Sequence, residues 1–392
     1  MSTLTEGRSR LRVMMIGPYP QSPDRINGGV ASAVMYLSQA LAAEPGIDLI
    51  GVRIAKGRAD SCQSTQFNWP VADLPLGRLG LTTFYRRQKH RLGELINHFR
   101  PDIVHGQGTD IAGFLAVGCG LPAVLTVHGL LGECARFQTD PATKARAVLA
   151  AMLTERNTVR RATDLIAISP YVTRYYQKEI KGRIHDVPNA VAPNFYRLAR
   201  VPERGRLLYA GRIAHGKGLI ELLQAVARNR ATVTRLVLAG AAPDPVYEDL
   251  VKNEAVRLNL AECVQFAGLL RESALLQEFA RAEALMLPSH QETAPMVVQE
   301  AMAAGLAVIA TNVGGIPEQV EHEVTGLLFE PGDVNQLTAL IARFGNDEDL
   351  SRRLGAAAKA VAIERYQASA VARATISVYR TMLDTVREHA RQ

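Results

Sequence analysis

Cysteine is scarce in this chain and badly spaced for any framework. Cys62, Cys119, Cys134 and Cys263 form no CxxC pair and no spacing that suits zinc. That excludes a disulfide-stapled secreted fold and leaves buried or free thiols in a reducing cytoplasm as the expectation. Long apolar runs are also lacking. The longest, Phe114 to Val127, is interrupted by Gly118, Gly120 and Pro122 and is too short to cross a bilayer. The polar stretch from Met1 to Arg12 has no apolar centre of the kind a signal peptide needs. Asp-x-Asp occurs once, at Asp347-Glu348-Asp349, in a charged stretch that reads as a solvated helix start rather than a metal site. No internal repeat or low-complexity tract is present.

What remains is an ordinary globular composition, 47% hydrophobic and 21% charged, over 392 residues, enough for two or three domains. The charge is uneven. Residues 1–200 carry 25 Lys and Arg against 15 Asp and Glu, whereas residues 201–392 carry 20 against 23. The basic half is compatible with nucleic acid, an anionic membrane surface, an acidic substrate or merely a solvated face.

Short β-branched runs alternate with longer helical patterns. Six strands are expected at Leu11–Gly17, Asp48–Ile54, Asp102–His105, Ala123–Val127, Asp164–Ile168 and Ile184–Val187. Six more are expected at Arg206–Ala210, Arg235–Ala239, Cys263–Ala267, Ala284–Leu287, Ala307–Ala310 and Gly326–Phe329. Apolar strands with intervening helices imply parallel sheets covered on both faces, so the expected fold class is α/β with two doubly wound domains. The boundaries read as residues 1–192, a Pro- and Arg-rich linker at 193–205, and residues 206–367. A helical tail at 368–392, with Val371, Ile376, Val378, Met382, Leu383 and Val386 spaced along one face, is expected to pack back on the first domain.

Two motifs carry chemistry. After the strand Arg206–Ala210 come Gly211-Arg212 and then Gly216-Lys217-Gly218 before an apolar helix. Glycines allow close backbone approach, helix-terminal N–H groups favour an anion, Arg212 offers a planar fork and Lys217 a point charge. The spacing imitates a P-loop, but Gly218 stands where that motif needs the magnesium-binding Ser or Thr. The second motif is Glu292 and Glu300, separated by seven residues that include Met296, Val297 and Val298. Carboxylates so placed on a helix sit roughly 10 Å apart, which disfavours a glycosidase pair and suits two separate partners such as a ribose diol and a sugar. Exposed acids on an amphipathic helix are the alternative.

These motifs resemble the GT-B glycosyltransferases of glycosyltransferase family 4. The resemblance rests on Gly28-Gly29-Val30, His128-Gly129, Val187-Pro188-Asn189, Gly211-Arg212 with Lys217-Gly218, Glu292 with Glu300-Ala301-Met302, and Thr311-Asn312-Val313-Gly314-Gly315-Ile316-Pro317-Glu318. It implies two Rossmann-like domains facing a cleft, with the acceptor in the first and a nucleotide sugar in the second. It further implies a retaining, metal-independent transfer from a UDP- or GDP-sugar that needs no cofactor. Arg212 and Lys217 would bind the leaving diphosphate beside Gly211, Glu300 the ribose hydroxyls and Glu292 the donor sugar. The amides of Thr293, Ala294, Met296 and Val297 would reach sugar and phosphate oxygens. Gly28 and Gly29 would let the first domain approach the phosphates, and His128 would sit near the transferred sugar. Pro295 and Ala190 replace glycines common in the family, and Pro295 supplies no N–H.

The acceptor is less legible. The segment Leu74–Arg100 holds Arg86, Arg87, Lys89 and Arg91 beside Leu79, Leu81, Phe84 and Tyr85. It suggests peripheral attachment at the inner face of the plasma membrane, and the family resemblance implies a glycan or lipid-linked acceptor, as in bacterial cell-envelope or exopolysaccharide synthesis. Competing readings are a nucleotide-sugar epimerase or hydrolase of the same fold and a basic nucleic-acid-binding protein. No nucleic-acid module is recognisable, so no nucleic acid is expected as partner.

Overall fold

Strands and helices alternate throughout the computed structural model, which describes residues 10–23, 26–56, 67–76, 85–137 and 140–391. Cys62, Leu79, Leu81 and Phe84 lie outside the described residues. The chain forms two units. The first combines residues 10–23, 30–190 and 368–391, the second residues 26–29 and 191–367.

The sheet of the first unit contains β1 (Leu11–Gly17), β2 (Ile47–Lys56), β3 (Val71–Leu76), β4 (Ile103–Gln107), β5 (Ala123–Val127), β6 (Asp164–Ala167) and β7 (Arg183–Asp186). Its order is β3-β2-β1-β4-β5-β6-β7, and every pairing is parallel. The second unit holds β8 (Arg206–Ala210), β9 (Arg235–Ala239), β10 (Val264–Gly268), β11 (Ala284–Leu287), β12 (Ala307–Thr311) and β13 (Leu327–Phe329). These run parallel in the order β10-β9-β8-β11-β12-β13. The central strands β4, β5, β8 and β12 are buried along their whole length, as helices on both faces of a parallel sheet demand. In each unit the first strand sits mid-sheet and the chain winds outward twice, once on each side. The reversal leaves a topological switch point between β1 and β4 in one unit and between β8 and β11 in the other, the places where such sheets open a crevice for ligands.

Two expectations need correction. β3 was missing from the expected strands. Its sequence, Val-Ala-Asp-Leu-Pro-Leu, contains Pro75, which a central strand would not tolerate but this edge strand does. Asp73 on β3 takes a two-pronged bond from Arg53 on β2, at 2.6 and 2.8 Å, which ties the edge to its neighbour. Nor is the segment 193–205 a free linker. Val191 N–H bonds Tyr366 O at 2.9 Å, Val201 N–H bonds Ala280 O at 3.0 Å, and Glu203 N–H bonds Arg281 O at 2.8 Å. The Arg200 guanidinium donates to Ala282 O at 2.6 Å and also to Gly305 O. The whole stretch from Val191 is therefore strapped to the second unit.

The helix Ala368–Arg391 belongs to the first unit, burying Val371, Ile376, Val378, Tyr379 and Met382 there. Asp347 caps the helix Glu348–Arg365 by accepting from the N–H groups of Asp349 and Leu350, so the Asp-x-Asp serves as a helix start. The helix Arg86–Phe99 turns Leu92 and Leu95 into the core, with Ile96, Phe99 and Tyr85 packed against the same cluster. Its basic side chains Arg86, Arg87 and Lys89 stay exposed. Cys119, Cys134 and Cys263 are not in disulfides.

Candidate functional site

In the second unit three loops converge beyond the carboxyl ends of the neighbouring strands β8, β11 and β12. The first, 211–218, leaves β8 and returns through Gly218, whose φ of +65° and whose place against Pro288 make it a glycine position. A Cβ on Gly218 would lie 2.0 Å from the Pro288 carbonyl oxygen. That contact locks the first loop to the second, 288–295, which leaves β11. His290 N–H adds a bond to Gly216 O at 2.8 Å. Thr311, ending β12, donates its hydroxyl to Ser289 O at 2.5 Å, and Gly315 N–H reaches Glu292 O at 3.2 Å.

This scaffold brings Lys217 to Glu292. Lys217 Nζ lies 2.5 Å from Glu292 Oε1, and Ser289 Oγ donates to the same oxygen at 2.8 Å. Both charged side chains are mostly shielded, at 19% and 14% exposure. Tyr209, fully buried at the end of β8, donates its hydroxyl to Arg212 O at 2.7 Å. Burial raises its pKa far above the ordinary phenol, the Glu292 charge and then Tyr247 add to the rise, and Arg212 opposes it. Glu292 and Arg212 therefore share one electrostatic neighbourhood, with the Arg212 side chain itself exposed. Gly211 packs against the Tyr209 hydroxyl, 2.9 Å from where a Cβ would stand.

The second loop feeds the helix Met296–Ala304, with Pro295 at its N-cap. Its first turn offers backbone N–H groups with no acceptor inside the helix, in the stretch that holds Met296 and Val297. Thr293, Ala294, Met296 and Glu300 are buried and Val297 is half-buried. Glu300 is only 5% exposed on this helix of small apolar residues. Gly28 adopts φ +94°, and Gly29 lies with the second unit, its missing Cβ 3.5 Å from the Met296 side chain.

One pair here was not read from the sequence. His290 Nε2 lies 2.9 Å from Glu221 Oε1, on the first turn of the helix Leu219–Arg228. That hydrogen bond holds the His290 pKa above its usual value and the Glu221 pKa below its own. Its contribution is to clip the Glu292 loop to the helix that follows Lys217.

His128 belongs to the first unit. It stands just past β5 and lines a small cavity with Ala33, Gln107, Thr126, Pro188 and Asn189 among others. Its Nε2 meets Gln107 Oε1 at 2.6 Å, and Asn189 also hydrogen-bonds it. Burial pushes its pKa down to about 4, opposed by the Asn189 bond, so the ring is neutral at pH 7. The turn after it is held by Glu155, buried in a π-helical turn at Ala151–Glu155. Glu155 accepts from Leu131 N–H at 2.7 Å, from Gly132 N–H at 3.0 Å, and from the Tyr176 hydroxyl. A buried glutamate in an otherwise basic amphipathic stretch was the available signal, but its partners are 21 to 24 residues away in sequence.

Among the described residues no group of three or more His, Cys, Asp or Glu side chains could hold a metal ion. No helix among them is long and apolar enough to cross a membrane.

Comparison with known proteins places this geometry. Residues 27–195 match the family model for Glycosyltransferase Family 4, and residues 194–361 match that for Glycosyl transferases group 1. The chain belongs to glycosyltransferase family 4 and has the GT-B fold. A Mycobacterium tuberculosis protein described as a glycogen synthase is 28% identical over 94% of both chains. A D-inositol 3-phosphate glycosyltransferase of Streptomyces scabiei is 31% identical over 66% of this chain and 63% of its own. In structure, a sucrose-phosphate synthase of Thermosynechococcus elongatus superposes with a TM-score of 0.82 at 21% identity, covering 96% of this chain and 100% of that one. HepE of Anabaena in complex with UDP-glucose gives a TM-score of 0.73 at 18% identity, over 97% and 100%.

Proposed function

We propose that this glycosyltransferase moves a sugar from a UDP- or GDP-sugar to an acceptor hydroxyl with retention of configuration. The observation that carries the reading is the Lys217–Glu292 pair at the β8–β11 switch point, beside Arg212. Cations aimed at the diphosphate would stabilise the charge that builds on it as the glycosidic bond breaks, the role a metal ion takes elsewhere. On this reading Lys217 and Arg212 bind the diphosphate, Glu300 the ribose, and Glu292 with the amides of 293–297 the donor sugar. The same reading assigns His128, neutral at pH 7, to the transferred sugar, where an imidazolium would repel the positive charge developing on it. The retaining, metal-independent course and a place in bacterial envelope or exopolysaccharide synthesis belong to the same proposal.

The test uses the full chain, a panel of UDP- and GDP-sugars, and glycan and lipid-linked acceptors. Nucleoside diphosphate released only when an acceptor is present, and undiminished by a chelator, is the expected result. Equal release without acceptor would assign the chain to hydrolysis instead.

Peripheral attachment to an anionic membrane is also proposed, but through a different face from Leu74–Arg100. Val148, Leu149, Met152 and Leu153 are 37 to 62% exposed along one side of the stretch Pro141–Glu155, with Lys144, Arg156, Arg160 and Arg161 exposed nearby. Exposed apolar groups flanked by cations suit the boundary of an anionic bilayer.

A further inference from the structure

His128 is the last member of a polar chain that runs along one face of the first unit's sheet. Tyr379, on the helix Ala368–Arg391, places its hydroxyl 2.7 Å from His105 Nδ1. His105 Nε2 lies 3.1 Å from Gln107 Nε2 and 2.7 Å from Thr126 Oγ1. Gln107 Oε1 then meets His128 Nε2 at 2.6 Å. Tyr379, His105, Gln107 and Thr126 are all under 4% exposed. The sheet makes the line-up possible. His105 and Gln107 are two apart on β4, Thr126 and His128 are two apart at the end of β5, and Gln107 is in register with Thr126. Alternation on adjacent parallel strands therefore sends all four side chains to one face, the face on which Tyr379 lies.

Each polar group has few ways to satisfy its neighbours, so the proton positions are linked. The Gln107 amide turns its NH2 to His105 and its carbonyl to His128. The nearer ring nitrogen of His105, Nε2 at 3.1 Å against Nδ1 at 3.4 Å, accepts from that NH2 and from the Thr126 hydroxyl, which leaves the proton on Nδ1 to be donated to the Tyr379 oxygen. For the same reason His128 must carry its proton on Nε2. The bonds run head to tail from His128 through Gln107 and His105 to Tyr379. Were His105 to carry its proton on Nε2, that proton could go to Thr126 Oγ1 at 2.7 Å, but the Gln107 NH2 would lose its acceptor there; turning the amide over restores the bond, and its NH2 then forces the His128 proton onto Nδ1.

We propose that Tyr379, His105 and Gln107 are positioning residues that hold His128 in the Nε2–H tautomer for the transfer reaction. The inference rests on the proposed role of His128 near the donor sugar. Burial supports it, because it holds His105 down to about 3, with His128 adding to the effect, and so keeps both rings uncharged. A neutral ring has a tautomer to be chosen, and its hydrogen-bond partners choose it.

The experiment compares wild type, Tyr379→Phe, Gln107→Leu and the double variant as full chains, by ¹⁵N-resolved NMR of labelled histidine and by kinetics. In wild type, His128 should give the Nε2–H pattern. Tyr379→Phe removes only a hydroxyl and should move His128 toward the Nδ1–H pattern, with kcat down about tenfold, the scale of one lost hydrogen bond, and donor KM unchanged. In the Gln107→Leu background, where the chain is already cut, Tyr379→Phe should leave the His128 signal where it was. An unchanged His128 pattern in Tyr379→Phe overturns the relay, whatever the activity. A changed pattern with undiminished kcat leaves the hydrogen-bond chain standing but overturns its part in the reaction, and with it the role given to His128.

Discussion

Lys217 and Glu292 form an ion pair of 2.5 Å between loops that leave adjacent strands 75 residues apart in sequence. The carboxylate neutralises the ammonium and will compete with any diphosphate for it. Replacing Glu292 with Gln should therefore tighten binding of bare UDP or GDP by about three- to fivefold, the scale of one partly exposed ion pair. Turnover of the nucleotide sugar should fall at the same time. Lys217→Ala should cost about 10²-fold in turnover, as loss of a transition-state donor does. Calorimetry of nucleotide binding and steady-state kinetics check both, and weaker nucleotide binding in Glu292→Gln would contradict the competition.

Glu300 offers a buried carboxylate with a different duty. Glu300→Ala should weaken affinity for the nucleoside diphosphate about tenfold or more, since hydrogen bonds to a charged group are worth about 1.5–3 kcal/mol. The matching nucleoside-free sugar phosphate should bind no worse. Calorimetry with the two ligands separates this from general damage to the site.

Gly218 sets the separation of the two loops. Alanine there meets the Pro288 carbonyl and a left-handed backbone together. The variant should lose about 2 kcal/mol or more of stability and lose turnover as Lys217 is displaced. Urea denaturation and kinetics on the same sample would show whether the two losses travel together. Full retention of both would mean that the Pro288 contact is easily relieved.

Acid should destabilise the protein through His105. Its folded pKa is depressed by burial to about 3, against an ordinary value of 6.5, so the unfolded chain takes up a proton first as pH falls. The sign follows from linkage: stability is intact above pH 6.5 and declines below it. By pH 5 this one group costs about 2 kcal/mol. His105→Gln has nothing to protonate and should show a shallower loss between pH 7 and pH 5 in denaturant titrations. Parallel losses would place the acid sensitivity elsewhere.

For membrane attachment, the pair Leu149→Glu and Met152→Glu should cut co-sedimentation with phosphatidylglycerol vesicles at low salt about tenfold or more. Charge reversal of Arg86 and Arg87 on the other basic segment should have a smaller effect, because Leu92, Leu95, Ile96 and Phe99 of that helix pack inward. The opposite order would return the contact to Leu74–Arg100.

Much of the fold was legible because parallel strands buried on two faces announce themselves as apolar runs, and twelve were read at nearly their observed positions. β3 was not, since an edge strand can hold Asp73 and Pro75, the residues that argue against a strand. The Lys217 and Glu292 loops were legible because glycine spacing and buried acids are local facts. His105, Gln107 and Tyr379 were not. His105 and Tyr379 stand 274 residues apart, and each alone looks like an ordinary polar residue in an element. The clip between His290 and Glu221 escaped for the same reason, being an encounter between loops that only the sheet order decides.

The first unit draws on both early and late parts of the polypeptide, whereas the second is built almost wholly from one continuous stretch. During synthesis the ribosome must therefore deliver residues 368–391 before the partner of His105 exists. The second unit can mature while translation is still under way, but the first cannot close the polar contact of His105 with Tyr379 until residues 368–391 have been made.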